Sequence, residues 1–298
     1  MPEHSTAPAR VEPALAGQLD LFLNSGAAVA LIDLRAALRA HDTAGAQSAL
    51  AALAAHEPGH RLSPAAERLV GALARMSAPL PRAGAEDELN TLEQSLVPAA
   101  RRLLGRDALE VLAPLWRRVA GALASVPFDP EHPRLHASYA YVQCLDWAGA
   151  IAAIEAVPGH ASEPVLLGRL VEAHSRAGDR TSEIAAWCRL CWHAPDAASE
   201  CLDAGEMPDT FVREAWLEFL ELDAEPGTEW FPAYLLLGVP GLASWLPENL
   251  GDGAGLGKRA FRAVREVLHA DGAEARRALQ AAAPWLLEEY LKTRPARR

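Results

Sequence analysis

The sequence is poor in the features that announce most function classes. Aromatic residues make up only 6% of it, so the 50% apolar share is largely alanine and leucine, which favours packed helices over strands. Cysteine occurs four times in 298 residues, as Cys144, Cys188, Cys191 and Cys201, all in stretches of helical pattern. That excludes a small disulfide-stapled framework and predicts reduced thiols in a cytoplasmic protein. No run of about 18 apolar residues occurs, and the opening MPEHSTAPARVEP has neither the basic nor the apolar part of a secretory leader. The expectation is an unexported protein without a membrane partner. Basic charge is scarce as well: 28 Lys and Arg against 39 Asp and Glu give a formal charge of -11, which opposes contact with a phosphate backbone and argues against nucleic acid. Strand alternation, a G-x-S-x-G elbow and a specific pair of carboxylates are all missing.

What is present is helical periodicity broken by glycine and proline. In Leu166–Asp196, Leu166, Leu170, Ala173 and Ala177 form one stripe, and Ile184, Trp187, Leu190 and Cys191 another. Gly178-Asp179 separates them and Pro195 stops the second helix, so the stretch predicts a helical hairpin. A second hairpin is expected over 134–158. Ile151 and Ile184 lie 33 positions apart, as do Asp146 and Asp179, Ala140 and Ala173, and Ala153 and Ala186. A degenerate sister spans 30–60, turning at His41-Asp42 and closing at Pro58-Gly59. This pattern resembles the tetratricopeptide repeat, whose period is about 34 residues, with small residues where two helices touch. The resemblance is clearest over 134–197 and weaker over 27–60, with Glu183 standing where the family usually has alanine. It implies an all-α fold, an irregular α-solenoid of stacked hairpins, in which the first helix of each repeat lines a groove. The matching groove positions are Arg35 and Arg39, Tyr139 and Gln143, and Glu172 and Arg176.

The rest of the chain divides at prolines and glycines. The expected parts are a disordered tail at 1–12, an N-terminal helical repeat region at 13–78 that begins with a short helix at 13–23, a helical hairpin at 86–126, the repeats at 131–222 and a C-terminal helical region at 228–298. In the hairpin, leucines recur at threes and fours from Leu89 to Leu123, around a turn at Gly105-Arg106-Asp107; Pro98 and Pro114 should each kink or restart a helix. The segment 230–246 is apolar nearly all round and predicts a buried helix pair broken at Pro240-Gly241. Either this segment or the 89–123 pair is a candidate surface for a homo-oligomer.

Three letter patterns suggest chemistry. His56-Glu57-Pro58-Gly59-His60 spells the zinc-protease motif H-E-x-x-H, but proline and glycine oppose a helix across it, and Pro158-Gly159-His160 repeats the ending, which marks a turn. Cys188, Cys191 and His193 carry soft ligands near one helical face and define the alternative function, a metal-dependent enzyme or a redox or metal sensor. Against it, Cys191 falls on the apolar stripe beside Trp187. The run from Gly251 to Arg259 imitates a phosphate loop without its spacing or a preceding strand, and reads as a connector. The leading expectation is therefore a non-catalytic scaffold or adaptor that binds another protein or peptide segment and needs no cofactor.

Overall fold

The computed structural model describes residues 26–204 and 210–293. The expected tail at 1–12 and the short helix at 13–23 lie outside the described residues, as do residues 205–209 and 294–298. Among the described residues every regular element is helical and there is no strand. The chain forms two compact units that meet at Leu123 and Ala124 in sequence.

The first unit comprises α1 (Gly26–Arg39), α2 (Thr43–His56), α3 (Ser63–Arg75), α4 (Ala85–Thr91), α5 (Val97–Leu104) and α6 (Ala108–Leu123). Each helix packs on neighbours: α1 on α2, α2 on α3, α3 on α5, and α4 and α5 on α6, while α1 also reaches α6. The spacing of leucines decides this. Leu34 and Leu38 of α1, Leu53 of α2, Leu69 of α3 and Leu89 of α4 are all buried, each such side chain contributing roughly 1.5–3 kcal/mol. A π turn, Leu92–Leu96, joins α4 to α5 and keeps Leu92 and Leu96 in the core. Pro98 then stands in the first turn of α5, directly after the π turn, where the helical backbone continues. Pro114, by contrast, lies inside α6, which continues through it as one helix. Arg118 and Glu88 pair at 3.2 Å across α6 and α4, both side chains mostly buried.

The second unit comprises α7 (Ala137–Gln143), α8 (Trp147–Glu155), α9 (Pro164–Ala177), α10 (Arg180–His193), α11 (Pro195–Asp203), α12 (Thr210–Leu220), α13 (Phe231–Gly238), α14 (Leu242–Trp245), α15 (Leu256–His269), α16 (Ala273–Ala282) and α17 (Pro284–Lys292). From α7 to α11 each helix packs on the next, as stacked hairpins would. Beyond them the order changes: α13 packs on α10, α12, α15 and α17, so the C-terminal helices close over one core running from Ile154 to Tyr290. Rings hold this closure together. Phe219 stacks with Trp216 at 5.5 Å and meets Phe231 at 5.4 Å, while Trp230 meets Trp285 at 6.1 Å. Ring pairs of this kind add roughly 0.5–1.5 kcal/mol each beyond their buried area.

The same connector makes the turn in three hairpins. His41, Leu145 and Gly178 take left-handed φ values of 52, 56 and 77°. The next residue, Asp42, Asp146 or Asp179, donates its amide five residues back, to Ala37, Tyr141 or His174, each at 2.9 Å. Its carboxylate then accepts the amide of Gly45, Gly149 or Ser182, at 3.0, 3.1 and 3.1 Å, and so caps the following helix. One aspartate thus closes a Schellman turn and opens a helix. The far ends of α2 and α8 also match, since Gly59 and Gly159 sit at φ 81 and 80° in Pro-Gly turns.

Candidate interaction surface

Arg35 and Arg39 lie in the first unit, on the side of α1 that faces the end of α5. Arg35 donates from Nε to the Leu103 carbonyl at 2.9 Å, one of the four terminal carbonyls of α5 that lack a helical partner. Arg39 pairs with Asp107 at 2.9 Å. These two contacts fix α1 against the turn after α5. Between the elements is an open concavity of about 520 Å³, lined by Ile32, Arg35, Arg39, Arg101, Arg102 and Asp107 together with the backbone and side chains of 103–105. Arg101 and Arg102 are exposed in the last turn of α5, where a cation is favoured by the helix dipole. Sequence reasoning passed over both arginines. Their signal was available, as an Arg-Arg pair three residues before a glycine turn in an acidic chain.

In the second unit, Gln143, Glu172 and Arg176 are exposed and Tyr139 is half-buried. The structure joins Tyr139 to Arg169, whose guanidinium lies 5.4 Å from the ring centre. Arg169 sits on the helical stripe of Glu172 and Arg176, three and seven residues earlier, and this spacing could have revealed it. It donates at 2.8 Å to the Ser138 hydroxyl and at 2.8 Å to the Pro133 carbonyl, and burial pulls its pKa down to about 10. Arg169 can only donate, so the Ser138 oxygen accepts from it, and the same hydroxyl lies 2.9 Å from His136 Nδ1. Burial, and then the charge of Arg169, lowers the His136 pKa. A serine beside such a histidine imitates a nucleophile and its base. Ser138, however, is 0% exposed, and the group ties the start of α7 to α9.

Cys188 and Cys191 face the core. They border a cavity of about 10 Å³ with Ile184, Trp187, Val212, Phe231, Pro232 and Leu235, which is space for about one water at most. Burial pushes the Cys188 thiol up to about 12 and raises Cys191 well above the usual range. His193 points elsewhere, with Nε2 3.2 Å from Lys258 Nζ, and its pKa is lowered by burial and then by Lys258. Among the described residues no three His, Cys, Asp or Glu side chains gather as a metal site. At the zinc-protease letters, α2 ends at His56 and Gly59 turns the chain. The glycine-rich run is anchored at its two ends, where a Cβ on Gly257 would strike the Glu229 carbonyl and one on Gly251 would lie 2.9 Å from Phe261, while residues 252–256 between them are exposed, as in a connector. The two proposed self-association segments are also occupied internally. Leu89 to Leu123 supply part of the first unit's core, and of 230–246 only Trp245, at 59%, leaves a large apolar side chain exposed.

In comparisons with protein families, curated proteins and solved structures, the chain matched none.

Proposed function

We propose that the chain is a non-catalytic protein-binding scaffold or adaptor, with tetratricopeptide-like hairpins over 134–197 and its binding surface on the first unit. One contrast carries this reading. The groups fit for chemistry, namely Ser138 with His136 and the thiols of Cys188 and Cys191, are buried, whereas the concavity beside α1 opens to solvent with arginines and an exposed isoleucine. Surfaces that hold protein segments combine these two kinds of side chain, and arginine is enriched at their centres. The His41-Asp42 connector supports the reading because it fixes the end of α1 that carries Arg35 and Arg39.

The test is comparative isolation from the native host, using the full chain and its R101Q/R102Q variant. The expected result is a protein recovered in fixed proportion with the parent chain and lost from the variant. Equal recovery with both chains would remove the concavity from the function.

A further inference from the structure

We propose that the concavity between α1 and the end of α5 receives an acidic segment of a partner protein that carries leucine-like side chains at helical spacing. This rests on the binding reading above and adds the chemistry of the partner.

The charge argument comes first. Four arginines, Arg35, Arg39, Arg101 and Arg102, line the concavity against a single carboxylate, that of Asp107. They do so in a chain whose formal charge is -11. Arg35 and Arg39 are held in place by the Leu103 carbonyl and by Asp107, so little freedom is lost when they meet a ligand. The guanidinium groups of Arg101 and Arg102 make neither an ion pair nor a hydrogen bond with any described residue, and their forks remain available to carboxylates.

The size and reach of that positive region narrow the ligand. At physiological salt, charges act over about 8 Å, so a short acidic segment feels the arginines while escaping most of the chain's negative surface. A nucleic acid carries its charge along its whole length and would meet that surface as well. The apolar part of the site points the same way. Ile32 is 56% exposed at the rim, and Val29, one turn earlier on α1, is 45% exposed. A purely ionic ligand leaves both uncovered, whereas an amphipathic segment covers them and meets the arginines with its acidic flank. The volume, about 520 Å³, is within the range of roughly 300–1,000 Å³ that encloses a small ligand, and suits a few side chains rather than a whole domain face.

The experiment uses the full chain and fluorescence anisotropy with a fluorescein-labelled peptide of glutamates and leucines at helical spacing. A lysine-for-glutamate counterpart, an all-glutamate peptide and inorganic polyphosphate serve as the other probes. The expected result is salt-dependent binding of the glutamate–leucine peptide alone, weakened roughly tenfold in R101Q/R102Q and also weakened in I32S. Circular dichroism of both variants should match that of the parent, since all three side chains are exposed. Equal binding by the double variant, equal binding of the all-glutamate peptide, or tighter binding of polyphosphate would each overturn the proposal. If the peptide fails to bind while the host partner is still lost from R101Q/R102Q, the binding reading stands and this inference falls.

Discussion

Gly168 lies within α9 and Gly178 caps its end, and the same substitution to alanine should move stability in opposite directions at the two positions. Gly168 lies in the interior of α9, with nothing within 4 Å of where its Cβ would stand. Alanine there gains about 0.8–1 kcal/mol from helix propensity alone. Gly178 caps the same helix at φ 77°, also with nothing within 4 Å of a Cβ. Packing is therefore silent at both sites, and only the backbone speaks. At Gly178, alanine meets a left-handed cost of roughly 1–2 kcal/mol, offset by about 0.4–1 kcal/mol from a less flexible unfolded chain. The net is a loss of between about 0 and 1.6 kcal/mol, so the two variants should differ by roughly 1–2.5 kcal/mol. Urea unfolding followed by tryptophan fluorescence reads this well, because of the 8 tryptophans all except Trp116 lie in the second unit. With a urea dependence of about 1–3 kcal/mol per molar, the midpoints should separate by roughly 1 M around the parent value. A Gly178→Ala variant clearly more stable than the parent, or as stable as Gly168→Ala, would refute the turn geometry.

Two further outcomes follow from the connectors and the core. The hydroxyl and amide of Ser182 hold the Asp179 carboxyl below its ordinary value, so its folded pKa is lower than its unfolded one; the contribution is complete above the unfolded value and lost as pH falls through the folded one. Asp179→Ala should therefore cost about 1 kcal/mol at neutral pH in urea unfolding, with the gap shrinking in acid below the usual 3.8, and an undiminished gap there would contradict the cap. Because burial holds Cys188 and Cys191 as thiols, an aromatic disulfide reagent at mildly alkaline pH should leave both untouched in the native chain and label them on unfolding, as mass spectrometry of digests would show. Prompt native labelling of either would place it outside the core.

Local rules were well represented in the sequence. Asp42, Asp146 and Asp179 could be read as turns because aspartate after a helix end caps the next one, and the repeated Pro-Gly-His could be read as a stop because proline and glycine break helices. Leu145 was harder, since leucine rarely adopts a positive φ and only the aspartate after it marks the turn. The closure of the second unit was not legible. Phe219, Phe231 and Trp285 show apolar periodicity, but periodicity says which face is buried and not against which helix, and the return of α13 onto α10 depends on long-range packing. The same limit explains the site. Arg35 and Arg39 were picked out by the resemblance to the tetratricopeptide repeat, whereas Arg101 and Arg102 join them only because α1 packs beside the end of α5, 62 or more residues later in the chain.

The most direct measurement of the central claim is photo-crosslinking from the concavity itself. With a benzoylphenylalanine replacing Ile32, irradiation in living host cells should join the chain to one protein, and the joined peptide should be acidic and carry aliphatic residues at helical spacing. Crosslinks confined to this chain's own residues, or spread over unrelated proteins without an acidic segment, would contradict the account.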